Sequence, residues 1–128
     1  GTLWFLGASG DETGSDAGDR ADTHTPARYY ELEDPLIVSV GADQQRYLQA
    51  HVAFAMREHD VSPGIERHLP TLRSRLRSLL QKQSFAQLQS REGKEKLLKE
   101  MRSVVNTALE AEGEHSVERV LFTNFVMQ

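Results

Sequence analysis

The chain has 128 residues, of which 38% are hydrophobic and 27% are charged, values typical of one soluble globular domain with a sizeable core. It contains no cysteine, which excludes disulfides and thiolate sites. The net charge of −4 combines a balance of −6 over residues 1–34 with +2 over residues 35–128, so no strongly basic surface for a nucleic acid is expected.

The N-terminal part of the chain divides into two segments. Residues 1–6 are mostly apolar and include the aromatic pair Trp4-Phe5, whereas residues 7–28 are rich in Gly, Ser, Thr, Asp and Ala. The second composition offers little to bury and predicts a flexible linker. The first segment is too short to span a bilayer, which needs about 20 residues. It is either the end of a membrane helix or an unimportant N-terminal piece, and composition alone favours the second reading.

A folded domain is predicted over residues 29–128, and it begins with two strands. Pro35–Val40 is a β-branched run typical of a buried strand. After a turn, Arg46–Met56 alternates between apolar and other residues, which indicates a strand with one face on a core. The side chains on that face are Leu48, Ala50, Val52, Phe54 and Met56.

Three helices are predicted to follow. The first begins at Ser62-Pro63 with the Ser hydroxyl as N-cap, and Pro70 should kink or break it. Ser84 opens a very short helix, and Ser90 caps a longer one that runs to about Glu110. The apolar stripes are Ile65, Leu69, Leu72, Leu76 and Leu79 in the first helix, and Leu97, Met101, Val104 and Ala108 in the third.

The last eleven residues before Gln128 are predicted to form a strand with apolar residues on both faces. Such a strand is usually central in its sheet and covered on both sides. The side chains expected in this core strand are Val120, Phe122, Phe125 and Val126. The element order strand-strand-helix-helix-helix-strand predicts an α+β fold, a two-layer sandwich with the helices on one side of the sheet.

Motifs for catalysis or metal binding do not emerge. The five histidines lack zinc-binding spacings, and Glu92-Gly93-Lys94 lacks the other residues of a phosphate loop. There is no G-x-S-x-G motif and no cysteine nucleophile. We therefore predict no catalytic, cofactor-binding or metal-binding residues.

One row of charged side chains is a candidate protein interface. Arg73 and Arg77 lie one turn apart on one flank of the first helix's apolar stripe, and Arg75 lies on the other flank. Arginine is enriched at interfaces and binds carboxylates through two parallel hydrogen bonds. The alternative is a solvated helix face whose arginines cover the edge of the core.

Two segments of the chain carry distinctive motifs, S-x-E-G-K-E-x-L at Ser90–Leu97 and F-T-x-F-V-x-Q at Phe122–Gln128. Further characteristic segments are Tyr30–Val38, Arg46–Leu48 and Leu69–Arg73. Together they resemble successive landmarks of the FliL family, the flagellar basal-body-associated membrane proteins, and the similarity runs from about Tyr29 to the last residue. Asn124 departs from the Asp that is frequent in the family, and Ser39-Val40 stands where many members have Asn.

The resemblance implies a periplasmic domain similar to stomatin-like SPFH domains, in a single-pass inner-membrane protein of the flagellar basal body. Residues 1–6 then become the end of the membrane helix. The implied partners are flagellar stator proteins of the MotA/MotB type and further copies of the chain in a ring, with no cofactor, no nucleic acid and no enzymatic activity. One alternative is a general stomatin-like membrane scaffold unconnected with motility. A second is a small hydrolase, which is less favoured because the sequence offers no nucleophile.

Overall fold

The computed structural model describes residues 26–41 and 46–128. The predicted membrane-helix end at residues 1–6 and nearly all of the predicted linker at residues 7–28 lie outside the described residues. The elements in chain order are β1 (Arg28–Glu31), β2 (Leu36–Val40), β3 (Arg46–Met56), α1 (Ser62–Arg67), α2 (Leu69–Gln81), α3 (Phe85–Leu88), α4 (Arg91–Ala111) and β4 (Arg119–Met127).

The predicted α+β sandwich is confirmed, with β3 at the centre of an antiparallel sheet of four strands. The alternation of β3 directs Leu48, Val52 and Phe54 into the core, where each is fully buried. On one edge, β3 pairs with β4 along most of its length. On the other edge it pairs with β2 at its N-terminal half and with β1 at its C-terminal half.

Strand β1 was not predicted as a separate element. It follows the same edge of β3 as β2, and the two are separated by the bend at Leu32–Pro35. Leu32 still donates its N–H to the Val52 carbonyl at 2.9 Å, and its side chain is buried. The pairing with β3 resumes at Leu36, directly after Pro35.

The four helices cover one face of the sheet and bury most of the predicted stripes, although Leu69, Leu79 and Val104 are only partly buried. In α2 the buried side chains are Leu72, Leu76 and Leu80. In α4 they are Leu97, Met101, Val105, Ala108 and Leu109. None of the helices within residues 26–41 and 46–128 combines the length and the apolar composition that a membrane crossing needs.

Two of the three predicted serine caps are confirmed. The Ser84 hydroxyl accepts the Gln87 N–H at 3.0 Å, and the Ser90 hydroxyl accepts the Gly93 N–H at 2.9 Å. The predicted cap at Ser62 is wrong, because the helix starts at Ser62 itself and Val61 is its N-cap. The Ser62 N–H instead donates to the Asp60 carboxylate at 3.1 Å, and this hydrogen bond lowers the pKa of Asp60.

The break predicted near Pro70 is confirmed, and it lies at His68, two residues earlier. Helix α1 ends at Arg67, α2 begins at Leu69, and His68 joins them. Proline occupies the first turn of α2, where its missing N–H costs nothing.

The prediction that the C-terminal strand is central is wrong. Within the described residues β4 pairs only with β3 and forms one edge of the sheet. Of the four side chains predicted in its core, Val120 is buried, Phe122 and Phe125 are partly buried, and Val126 is 37% exposed.

A bulge explains why β4 has apolar residues at both odd and even positions. The register shifts between His51 and Val52 of β3. Before the bulge Val120 and Phe122 pair with the core face of β3, and after it Phe125 takes that place. Because an inserted residue exchanges the two faces, Phe122 and Phe125 both reach the core side, and their ring centroids lie 4.7 Å apart.

Candidate interaction surface

No three His, Asp or Glu side chains in the described part of the chain are grouped so that they could hold a metal ion. His59 and His115 stack with ring centroids 3.7 Å apart and an interplanar angle of 1°, on the surface where α4 leads into β4. Two surfaces of the domain are candidates for a contact with another protein.

Two of the three candidate interface arginines are engaged within the domain. Arg73 donates from Nη1 to the Asp34 carbonyl at 2.9 Å and from Nη2 to the Pro35 carbonyl at 3.2 Å. Arg77 donates from Nη1 to the Ile37 carbonyl at 2.9 Å. Both side chains thus reach from α2 to the outer edge of β2.

These hydrogen bonds close one edge of the sheet. The carbonyl oxygens of Pro35 and Ile37 point away from β3 and would otherwise be open to another strand. A charged side chain that occupies such carbonyls also hinders edge-to-edge pairing. Arg73 and Arg77 therefore have a structural role, whereas Arg75, on the other flank of α2, is exposed and stays a candidate for a protein contact.

We expect Arg73→Ala/Arg77→Ala to lower the free energy of unfolding by about 2 kcal/mol, because about 1 kcal/mol is lost with each set of charge-assisted hydrogen bonds. Urea denaturation measures the change. Arg75→Ala is the matched control, and its effect should stay within about 0.5 kcal/mol. Equal effects of the two variants would mean that the arginines of the β2 edge contribute no more than a solvated side chain.

A second candidate surface lies on the sheet face that the helices leave open. Ile37 and Val126 flank Gln49 in neighbouring strands, and Tyr47 is the next residue of β3 on that face. Ile37 is 50% exposed, Tyr47 54% and Val126 37%. We call Ile37, Tyr47 and Val126 the open-face patch.

The rest of the open face is polar near its middle. His51 and Asn124 pair there, and the Thr123 hydroxyl donates to the Glu31 carboxylate at 3.0 Å. Tyr29, at the far end of this face, is 58% exposed and separate from the patch. Sequence alternation could have indicated Tyr47 and Ile37, because both occupy positions opposite the core row. Val126 could not be assigned this way, because the bulge was not predicted.

A carboxylate joins α1 to the turn that follows α4. Glu114 accepts hydrogen bonds from Arg67 Nε at 3.1 Å and Nη2 at 2.9 Å, and His68 Nε2 lies 3.1 Å from the same carboxylate. The hydrogen bonds from Arg67, with a smaller contribution from His68, lower the pKa of Glu114. Gly113, with φ of +76°, turns the chain so that Glu114 points towards α1.

We expect Glu114→Gln to destabilise the domain at pH 7 and to destabilise it less at pH 3. A carboxyl whose pKa is lowered by folding adds stability above its unfolded pKa and loses it as the pH falls through the folded pKa. The difference between wild type and variant should therefore shrink below about pH 5. Urea denaturation at the two pH values measures it, with Glu112→Gln, at an exposed carboxylate of the same turn, as control. A difference that does not change with pH would contradict the assigned ion pair.

Comparison with known proteins agrees with the landmarks seen in the sequence. The model of a family described as flagellar basal body-associated protein FliL matches residues 29–128. Similar curated proteins are the flagellar protein FliL of Escherichia coli K12 and that of Shigella flexneri. Each is 29% identical over 114 residues, which cover 88% of this chain and 73% of the relative.

Proposed function

Because the chain belongs to the FliL family, we propose that it is a non-enzymatic accessory protein of the flagellar motor that binds and stabilises the stator as an oligomeric ring. The domain works in the periplasm and is held to the inner membrane by a membrane anchor. Its partners are stator proteins of the MotA/MotB type and further copies of itself. The description of the family supports the flagellar setting, and the open-face patch supports a role in binding.

The open-face patch is the observation that carries the binding role. A sheet face with three apolar side chains exposed side by side costs hydration free energy that a partner surface would recover. The patch and Arg75 lie on opposite sides of the sandwich, one on the sheet and one on the helix layer. Two different surfaces of one subunit are what a closed ring of more than two identical subunits requires.

Membrane anchoring makes ring formation compatible with a weak contact. Three exposed side chains form a patch well below the interface area of about 800 Å² per partner that a stable complex buries. The soluble chain should therefore be mostly monomeric. Tethering to a membrane raises the effective concentration, into the millimolar range for short linkers, and favours the ring around its partner.

The test compares variants of the full-length protein in motile cells. Ile37→Thr/Tyr47→Thr removes apolar area from the patch and places β-branched threonine, which suits a strand, at both positions. Arg75→Glu alters the opposite surface. We expect both variants to fold, and to lose ring assembly, copurification with the stator and torque under viscous load. Melting curves, native mass measurement and tethered-cell rotation report these properties.

Tyr29→Thr is the matched control, because it removes an aromatic side chain of similar exposure from the same sheet face outside the patch. It should leave assembly and torque unchanged. Normal rings and normal torque in both the patch variant and Arg75→Glu would refute these two surfaces as the contacts of the ring. Normal motility in cells that lack the protein would refute the motor role itself.

A further inference from the structure

The two outer edges of the sheet differ in how they are treated. The β2 edge is closed by Arg73 and Arg77, which occupy the carbonyls of Pro35 and Ile37. The β4 edge runs over nine residues and pairs with no other strand in the described residues. Natural proteins usually protect a long apolar edge, because it is a template for another strand. An edge left open beside one that is closed indicates a binding function.

The backbone of β4 is oriented to accept a further strand. Gln128 and Tyr47 exchange two hydrogen bonds, of 2.8 and 3.2 Å, across the inner edge. In an antiparallel ladder the alternate residues direct their N–H and C=O groups outwards. These residues are Val120 and Phe122 before the bulge and Phe125 and Met127 after it, and the Phe125 N–H is held locally by the Asn124 side chain at 3.0 Å. The remaining outward groups can form ladder bonds with an added segment.

A groove of about 300 Å³ lies between the first half of β4 and α4, next to this edge. Its apolar lining consists of Leu98, Val120 and Leu121. Its charged lining consists of Lys99, Arg102, Arg119 and one carboxylate, Glu95. Glu95 pairs with Arg91 at 3.6 Å, on the far side from Lys99 along the helix.

The charge of the groove selects the chemistry of its occupant. Lys99, Arg102 and Arg119 are exposed, and no acidic residue of the described part forms an ion pair with any of them. Bringing a carboxylate to three unpaired cations beside a partly apolar surface is favourable. A second copy of β4 is a poorer occupant, because its single charged residue is another arginine, Arg119.

We propose that the β4 edge and this groove bind an extended segment of a partner protein in which apolar and acidic residues alternate. The segment adds a strand to β4, directs its acidic side chains to the helix side, towards Lys99 and Arg102, and places its apolar side chains beside Leu121 on the open face. This is strand addition, in which backbone hydrogen bonds give affinity and the flanking pockets give specificity. The proposal is independent of the stator role, because it concerns the chemistry of the segment and not the identity of its owner.

The probe is a ten-residue peptide of five Val-Glu repeats, titrated into the isotopically labelled chain. We expect amide shifts along β4 and around Leu98, and a binding constant that weakens as salt is raised. Lys99→Glu/Arg102→Glu should weaken binding at least about tenfold. Lys82→Glu/Lys96→Glu, which makes the same charge change in a polar groove between α3 and α4, should leave binding within about twofold after allowance for net charge.

The same peptide with every backbone amide N-methylated separates strand addition from simple charge attraction. It keeps the side chains and loses the backbone donors of both strand edges, so it should not bind measurably. Equal binding of both peptides, or binding unaffected by Lys99→Glu/Arg102→Glu, would overturn the proposal. So would concentration-dependent shifts of β4 without peptide, which would assign the edge to a second copy, or binding to anionic phosphatidylglycerol vesicles in place of the peptide.

Discussion

Gly93→Ala is expected to lower the free energy of unfolding by about 3 kcal/mol, although alanine is normally the better helix former. A Cβ atom at this position would overlap the Gln87 carbonyl, with the carbonyl carbon at 2.7 Å and the Ser90 hydroxyl at 2.9 Å. The main obstacle is backbone, so no change of rotamer relieves it. Either α3 moves away from α4 or the start of α4 unwinds, and thermal or urea denaturation measures the cost.

The clash would also disturb the hydrogen bonds that join α3 to α4. The Ser90 hydroxyl donates to the Gln87 carbonyl at 3.0 Å while it accepts the Gly93 N–H at 2.9 Å. Loss of a serine cap alone costs about 1 kcal/mol. The close contact between α3 and α4 thus explains the glycine of the S-x-E-G-K-E segment. A phosphate-binding role is not required to explain it.

Gly113→Ala is the matched control for Gly93→Ala. Gly113 has a φ of +76°, and a Cβ there would meet nothing within 4 Å. The expected cost is only the strain of a left-handed alanine, about 1 kcal/mol. If Gly93→Ala proved no more destabilising than Gly113→Ala, α3 would have to be loosely attached, and the close approach at Gln87 would not contribute to stability.

Elements with strong local signals could be predicted from the sequence. The alternation in Arg46–Met56 gave β3 with the bounds that the structure has. Ser90 marked the start of α4, and the end predicted at about Glu110 lies one residue from the observed end at Ala111. In each case the information lies within one or two turns of the chain, where capping, periodicity and backbone freedom act.

The position of β4 could not be predicted, because a bulge leaves no mark in the pattern of apolar residues. Apolar side chains at odd and even positions fit a central strand as well as an edge strand that changes faces midway. Only the pairing with β3 distinguishes them, since the shift occurs opposite His51 and Val52. The destination of Arg73 was also unpredictable, because its carbonyl partner at Asp34 is 39 residues away in the chain.

Deletion of Phe122–Gln128 is expected to abolish cooperative unfolding, even though β4 is an edge strand. The sheet described here is only three strands wide at any point, so β3 would keep neighbours on one edge alone. The deletion removes Phe122, Phe125 and Met127, which pack against the buried core. Together with the lost ladder bonds their removal should cost about 5 kcal/mol, comparable with the whole stability of a small domain. Circular dichroism during heating measures the loss.

Single substitutions in β4 separate the core side from the open side of the strand. Phe125→Ala should cost about 2 kcal/mol, because the ring is partly buried, contacts Phe122 and lies 5.2 Å from the Lys94 ammonium. Val126→Ala, on the open face, should change stability by no more than about 0.5 kcal/mol. A larger cost for Val126→Ala than for Phe125→Ala would place Val126 in the core and contradict the bulge.

A single sharp melting transition retained after the deletion of Phe122–Gln128 would mean that β1, β2 and the helices suffice to hold β3, and that β4 is present chiefly for its partners.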